Sequence, residues 1–399
     1  MEQAVAVALK QNRDVIAAGL DIEAAKLDRI AASIYPNPTF SYSLGNIVLG
    51  QGNSQSVGLS PGAFDQPVQT FAVSEVIDVW NKRGTRIATA ERNVELKKIQ
   101  VEDALRDIVK AVRGACADVL REQLEDRLAH ETREHYRETV RLSKVRRDAG
   151  QIAGTEFTKI ELEAMKHETE VLEADQELDE ARAKLAALMG LPPSAAANLA
   201  MDETPPPRTP LSPTDLMNRA WNDRPDVRAL RASRAAADAG LTQAHREAFP
   251  DISLGLAYTH SNFTVSGDNP NQLSVTLSLP LPIFDRNQAA IGKANLELKK
   301  ADNEEKKLAL TVAHEVNDAV RHELHARKLV DAYEGGMLAR ATETLQIAEK
   351  SYAAGSTSLL ELLEAQRTYI ETRSDYLKAV NQLWQARVDI AHAVNGEVR

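Results

Sequence analysis

The chain has 399 residues, with 48 Lys and Arg against 58 Asp and Glu and a formal charge of −10. That balance argues against nucleic-acid binding as the main task, and a single cysteine, Cys116, excludes both a disulfide framework and a Cys-rich zinc site. No apolar run approaches the roughly 18–20 residues of a membrane-spanning helix, which leaves a β-barrel open because barrel strands alternate and give a weak hydropathy signal.

Met1-Glu2-Gln3 leads straight into an amphipathic stretch, with neither a basic n-region nor an apolar h-region. A helical stretch begins at Asp14-Val15 and is ended by Pro36 and Pro38. Phe40, Tyr42 and Leu44 then alternate with serines, predicting a strand over about 39–48. A Gly/Ser/Gln-rich loop over 45–67 leads to a second alternating stretch at about 68–78. No proline interrupts the next segment, and Val101, Leu105, Ile108, Val112, Ala115 and Val119 keep helical spacing, predicting a helix over about 84–148 that is roughly 100 Å long. Its successor, about 155–189, is heptad-regular: Phe157, Ala164, Val171, Leu178 and Leu185 form one row, and Ile160, His167, Ala174, Ala181 and Leu188 form its companion.

The pattern then repeats. A Pro-rich linker is read at 201–214, dividing repeat one (1–200) from repeat two (215–399). Asp226-Val227 echoes Asp14-Val15, and the stretch it opens ends at Phe249-Pro250. Strands are predicted at about 251–260 and 272–280, with long helices at about 286–352 and 358–394. Leu362, Tyr369, Tyr376, Leu383 and Ile390 lie seven apart beside Ala365, Thr372, Ala379, Ala386 and Ala393, a pairing of large and small rows suited to knobs-into-holes packing. Gly150 recurs as Gly355 and Glu156 as Glu361, both at an offset of 205. Each strand pair has one apolar and one small-polar face. A soluble sandwich also shows that alternation, but four strands are too few to close a barrel within one chain, so closure would need other subunits. The fold class is mainly α with a small β part.

Tyr352-Ala353-Ala354-Gly355 followed by Leu359-Leu360-Glu361-Leu362-Leu363-Glu364-Ala365-Gln366-Arg367 resembles the signature of the TolC-type outer-membrane factor family, and the likeness covers nearly the whole chain. Val79-Trp80-Asn81-Lys82-Arg83-Gly84 with Arg86 resembles the heavy-metal branch, of cobalt–zinc–cadmium or copper–silver type. The resemblance implies a homotrimer whose long helical hairpins form a periplasmic α-barrel. Four strands from each protomer would build a 12-strand barrel in outer-membrane lipid. It also implies that the chain as written lacks a signal peptide, and that any lipid anchor would sit in the removed segment. The implied function is the exit duct of a tripartite efflux pump, with a periplasmic adaptor (membrane-fusion) protein and an inner-membrane pump of the resistance-nodulation-division type as partners and no nucleic acid. The same duct could serve drug efflux or type I secretion, and the rival class is a soluble coiled-coil scaffold.

By the same resemblance, Glu361 and Glu364 fall on acidic ring positions of a periplasmic gate, Tyr352 on a gate-linking tyrosine and Glu156 on its acidic partner in the other hairpin. Three copies of each Glu around an axis would favour cations, whereas the bland reading is two solvated helix charges. The family's gate arginine is replaced by Thr357, so the link falls to Arg146 or Arg147, or to the Tyr352 hydroxyl against Glu156. The tips Gly150-Gln151-Ile152 and Gly355-Ser356-Thr357 are tight helix reversals, which the family also uses for adaptor docking. No catalytic residues, cofactor or metal ligands are expected. His322 and His325, with His314 eight positions earlier, could share a helix face as metal ligands but read better as a solvated face; His130, His135 and His167 are no better as ligands, and Cys116 reads as a buried inert thiol. Asn262-Phe263-Thr264 is a chance glycosylation sequon, and the run Arg133, Arg137, Arg141, Lys144, Arg146 and Arg147, interleaved with Glu131, Glu134 and Glu138, reads as a salt-bridged face.

Overall fold

A computed structural model describes residues 1–47, 67–203, 206, 212–261 and 269–396. Most of the predicted loop at 45–67, half of the Pro-rich linker and the sequon Asn262-Phe263-Thr264 lie outside the described residues. In chain order the elements are α1 (Glu2–Gln11), α2 (Arg13–Ser33), β1 (Thr39–Gly45), β2 (Val68–Ile77), α3 (Lys82–Asp148), α4 (Gly154–Leu188), a 3-10 turn at Pro193–Asn198, α5 (Pro213–Asp223), α6 (Pro225–Glu247), β3 (Ile252–Ser261), β4 (Asn271–Ser278), α7 (Gln288–Ala332), α8 (Leu338–Ala353) and α9 (Leu359–Ala393). The chain divides into two compact units. One holds 1–21, 98–229 and 305–399; the other holds 22–97 and 230–304.

In the first unit the heptad rows become the core. Phe157, Ile160, His167, Val171, Leu178 and Leu185 are buried along α4, and Leu362, Ala365, Ala379, Leu383, Ala386, Ile390 and Ala393 along α9. Val112, Ala115, Cys116 and Val119 of α3 pack with Leu185, Met189 and Ala8. Burial raises the Cys116 thiol to about 11, so it stays protonated and inert. Val312 and Val316 of α7 pack with Leu216, Val227 and Ile390 in the equivalent cluster.

The duplication reaches the hydrogen bonds. Gly190 N donates to Ala187 O and Leu191 N to Ala186 O at the end of α4; Asn395 N donates to His392 O and Gly396 N to Ala391 O at the end of α9, each at the same offset of 205. Gly190 and Asn395 both take positive φ, 71° and 51°. The Asn12 side chain donates to Leu188 O, and Arg224 donates to Ala393 O from the corresponding place.

One element departs from the expectation of an unbroken helix over 286–352. Between α7 and α8 lies a π-helical turn, Tyr333–Met337, in which Gly336 has φ 140°. A side chain rarely adopts that backbone, so the adjacent Gly335-Gly336 pair is what permits the break.

The second unit carries an antiparallel sheet in the order β1-β2-β3-β4, with β1 and β4 at its edges. The register sets Tyr42, Phe71, Tyr258 and Leu273 in one cross-strand row and Phe40, Val73, Leu256 and Val275 in the next. Ser41, Ala72, Ala257 and Ser274 form a row on the opposite face. Tyr42 and Phe71 rings lie 4.9 Å apart, and the Thr70 and Thr259 hydroxyls are 3.2 Å apart on the small-residue side. On the two central strands the apolar side is the more exposed one: Phe71, Val73, Leu254, Leu256 and Tyr258 are exposed whereas Thr70, Ala72, Ser74, Gly255 and Ala257 are half-buried; the edge strands β1 and β4 are exposed on both faces. Below the sheet, Trp80 stacks on Phe249 at 4.8 Å and donates to Pro250 O at 3.0 Å, while Lys82 pairs with Asp251 at 2.7 Å. The Val79–Gly84 segment thus ties the exit of β2 to the entry of β3. A Cβ at Gly84 would fall 2.1 Å from the Asn81 side-chain oxygen, so Asn81 would have to turn aside.

Candidate gate and hairpin tips

Two helix reversals in the first unit carry the residues the sequence singled out. Gly150 and Gly355 occupy positive φ, 73° and 76°, as a Schellman-type end demands. Gly150 N donates to Arg147 O and Gln151 N to Arg146 O; Gly355 N donates to Tyr352 O and Ser356 N to Ser351 O. The two tips therefore share one backbone pattern, and Gly150, Gln151, Gly355 and Ser356 are exposed while Ile152 and Thr357 are half-buried. Ser358 caps α9 by accepting from Glu361 N at 3.3 Å.

Behind the tips Ile160, Tyr352, Leu359 and Leu362 form a small core drawn from both hairpins. Tyr352 is 2 % exposed, and its hydroxyl meets the Ser143 hydroxyl at 2.8 Å. The expected partner, Glu156, is instead exposed on the first turn of α4. Tyr352 lies within the last turn of α8 and is held against α3 by Ser143 and Arg146. Ser143 is fully buried, and no periodic signal distinguishes a serine at that position.

Arg146 supplies the second tie. It donates to Tyr352 O at 2.9 Å and lies 4.6 Å from the centre of the Tyr352 ring. A Cβ at Gly355 would touch its Nη2 at 3.7 Å, so the guanidinium closes over the second tip. Arg147 turns elsewhere, lying over Phe157 at 4.2 Å and pairing with Asp148 at 2.7 Å. Thr357 donates its hydroxyl to the Glu361 carboxylate. Deeper in, Gln366 donates to the Thr139 hydroxyl at 3.2 Å within a buried contact.

Glu361 and Glu364 stand one helical turn apart and both are exposed, while Arg367 beyond them pairs with Glu371 at 2.8 Å. Glu361 and Glu364 thus present carboxylates to solvent, and Ser143 and Arg146 hold Tyr352. The site holds no nucleophile–base pair. His322 and His325 are exposed, and His314 pairs with Asp318 at 2.9 Å. Among the described residues, one group of three side chains has potential metal donors close together: Asp126, His130 and Asp175, within 4.8 Å of one another. These groups are partly exposed, as acidic surface groups commonly are without an ion. Part of the basic run on α3 is ion-paired, with Arg137 bonded to Glu134 and Glu168 and Arg141 to Glu138, whereas Arg146 bonds the Tyr352 carbonyl.

The chain matches the family model for the outer membrane efflux protein over residues 4–191 and 216–396. It is 26 % identical over 392 residues to the cobalt-zinc-cadmium resistance protein CzcC of Cupriavidus metallidurans, covering 98 % of this chain and 88 % of that one. It is 25 % identical over 421 residues to the pyoverdine export outer membrane protein OpmQ of Pseudomonas putida, covering 99 % and 86 %. The crystal structure of the outer membrane protein VceC of Vibrio cholerae shares the fold, with a TM-score of 0.78, 18 % identity and coverage of 100 % and 96 %. With helical hairpins, a four-stranded sheet and a family match over both halves, this chain belongs to the outer membrane efflux protein family.

Proposed function

We propose that three copies of this chain form the exit duct of a tripartite efflux pump, passing heavy-metal cations from a periplasmic adaptor and an inner-membrane pump of the resistance-nodulation-division type out through the outer membrane. The observation that carries the reading is the sheet turned inside out. Water is a poor solvent for a face bearing Phe40, Tyr42, Leu256, Leu273, Val275 and Leu277, and lipid is a good one. Membrane-embedded strands must also satisfy every edge group. Pairing β1 of one copy with β4 of the next would close twelve strands and leave no edge. The chain's large helical part then belongs in the periplasm, and the two repeats, 1–200 and 215–399, each contribute one strand pair and one helical hairpin.

At the hairpin tips, Glu361 and Glu364 from three copies would ring the axis and hold cations near it without a tight ligand set, which suits a conduit that must release what it admits. The Ser143–Tyr352–Arg146 latch would hold the hairpins closed in place of the missing arginine at Thr357, and the exposed tips would receive the adaptor. The heavy-metal cargo is supported by the likeness to CzcC across 98 % of the chain. A second cargo reading, an organic substrate, is supported by the comparable likeness to OpmQ.

Fractionation tests the duct: a detergent-dependent, heat-modifiable trimer is expected, and a monomer that stays soluble without detergent would overturn it. Cargo is tested by expressing the chain with a signal peptide in a strain deleted for its equivalent. Restored cobalt, zinc or cadmium tolerance is expected; restored tolerance of organic compounds alone would transfer the assignment to the second reading.

A further inference from the structure

The two strand pairs of the sheet are copies of each other in register. Thr39 pairs with Ser74 as Ser253 pairs with Ser278, so β1 corresponds to β3 at an offset of 214 and β2 to β4 at an offset of 204. The flanking residues keep these offsets. Tyr35-Pro36 before β1 matches Phe249-Pro250 before β3. The bond from Val79 N to Ile77 O beyond β2 returns as one from Ile283 N to Leu281 O beyond β4. Trp80 is thereby matched by Phe284.

Inside the chain, the seam between β2 and β3 is closed by a ring clasp: Trp80 stacks on Phe249 at 4.8 Å. The matching residues flank the two edge strands and are more open. Phe284 is 91 % exposed, and Tyr35 is 62 % exposed with Arg83 over its ring at 4.2 Å, whereas Trp80 is half-buried and Phe249 is 42 % exposed. Single exposed apolar side chains are ordinary, but Leu281, Ile283 and Phe284 form an exposed run beside an unpaired strand edge.

We propose that the junction between neighbouring copies repeats the β2–β3 seam: Phe284 of one copy stacks on Tyr35 of the next, and β4 meets β1 with Leu277 opposite Tyr42. The inference rests on the trimeric reading above and adds which residues meet. Across the existing seam Phe71 faces Tyr258, Val73 faces Leu256 and Glu75 faces Leu254. Carried to the edges by the two offsets, these pairs become Val275 with Leu44, Leu277 with Tyr42 and Leu279 with Phe40. All three are apolar on apolar, and Ser74 opposite Gly255 becomes Ser278 opposite Ser41 on the other face. A slip of one residue would put the apolar side chains on the wrong face. A slip of two would keep the faces but draw Phe284 about 7 Å away from Tyr35, so the ring contact fixes the register. One difference remains: Trp80 also donates to Pro250 O at 3.0 Å, a bond the phenyl ring of Phe284 cannot make to Pro36 O.

The test uses the full chain in detergent, as paired cysteine variants oxidised and run on denaturing gels. Leu277→Cys with Tyr42→Cys is expected to give covalent trimers, because residues directly opposite lie about 4.5–5.5 Å apart at Cα, within disulfide reach. Leu277→Cys with Phe40→Cys or with Leu44→Cys, both diagonal pairs, should not. Covalent trimers from a diagonal pair alone would overturn the register and leave the trimer standing; a chain monomeric in detergent would overturn the trimeric reading and this inference with it. Phe284→Ala should leave the helix content unchanged and lower the temperature at which the trimer dissociates. Phe284→Trp, which restores the indole of the β2–β3 seam, should raise it. A dissociation temperature that neither change moves would overturn the clasp.

Discussion

Tyr352→Phe removes one oxygen atom from the latch and isolates its contribution. The Ser143 hydroxyl, fully buried, then loses its 2.8 Å partner. A neutral hydrogen bond contributes about 1 kcal/mol net, and stranding a buried hydroxyl brings the cost to about 1–3 kcal/mol. Ser143 sits in a helix and can turn back to a carbonyl one turn earlier, which places the figure near the low end. The Arg146 bond survives, because it is made to the Tyr352 backbone oxygen. Ser143→Ala strands the tyrosine hydroxyl instead, while the double variant strands neither group. The two single effects therefore exceed the double one, giving a coupling energy of about 1 kcal/mol or more. If the latch holds the closed state, about 1.4 kcal/mol lost in a protomer shifts its closed–open ratio about tenfold. Open probability in planar bilayers should rise in either single variant, and Arg146→Ala should raise it further. Additive single effects, or an open probability indifferent to all three changes, would refute the assignment of the latch to gating.

Glu361→Ala with Glu364→Ala should reduce cation preference and abolish block by multivalent cations in single-channel recordings; unchanged recordings would remove both residues from the conduction path. Burial pushes the Glu125 carboxyl above its ordinary value of 4.5, opposed by the Ser374 hydroxyl at 3.0 Å. The folded chain thus holds this proton more tightly than the unfolded one, and stability falls as pH rises from about 4.5 through the raised pKa. Glu125→Gln should accordingly raise Tm at neutral pH and leave it unchanged near about pH 4; an equal shift at both pH values would contradict that account. Burial also raises the Asp226 carboxyl, but the hydrogen bonds and charge of Arg224 outweigh it and hold the group below its usual range. Arg224 is 2 % exposed and bonded to Asp226 and Glu315 at 2.6 Å each, so Asp226→Ala, which leaves a buried cation short of a partner, should cost about 3–5 kcal/mol in chemical unfolding. A cost below about 1 kcal/mol would show that Glu315 alone suffices.

Elements whose burial repeats along the chain were readable from the residues. A seven-residue spacing keeps Val171, Leu178 and Leu185 on one side of a helix whatever lies opposite, and period-two alternation did the same for Leu254, Leu256 and Tyr258. What the pattern omits are pairings between distant residues. Ser143 and Tyr352 are 209 positions apart, and an isolated serine among charged neighbours announces nothing. The choice between Arg146 and Arg147 depends on about 100° of rotation around α3, which adjacent charges in a sequence do not encode. The π-turn at Tyr333–Met337 did leave a trace, the glycine pair at 335 and 336, though helical spacing on both sides of it suggested continuity.

The outward apolar face of the sheet has a consequence for how the molecule is made. A solitary chain released into an aqueous compartment presents a greasy panel flanked by two ribbons of unmet peptide groups, β1 and β4, the combination that seeds clumping. If three copies share one lipid-embedded barrel, yield depends on a race in which sibling chains or a lipid surface reach the panel before stray copies do. Slow synthesis or an escort that shields those strands should increase recovery more than any gain in the stability of the helices.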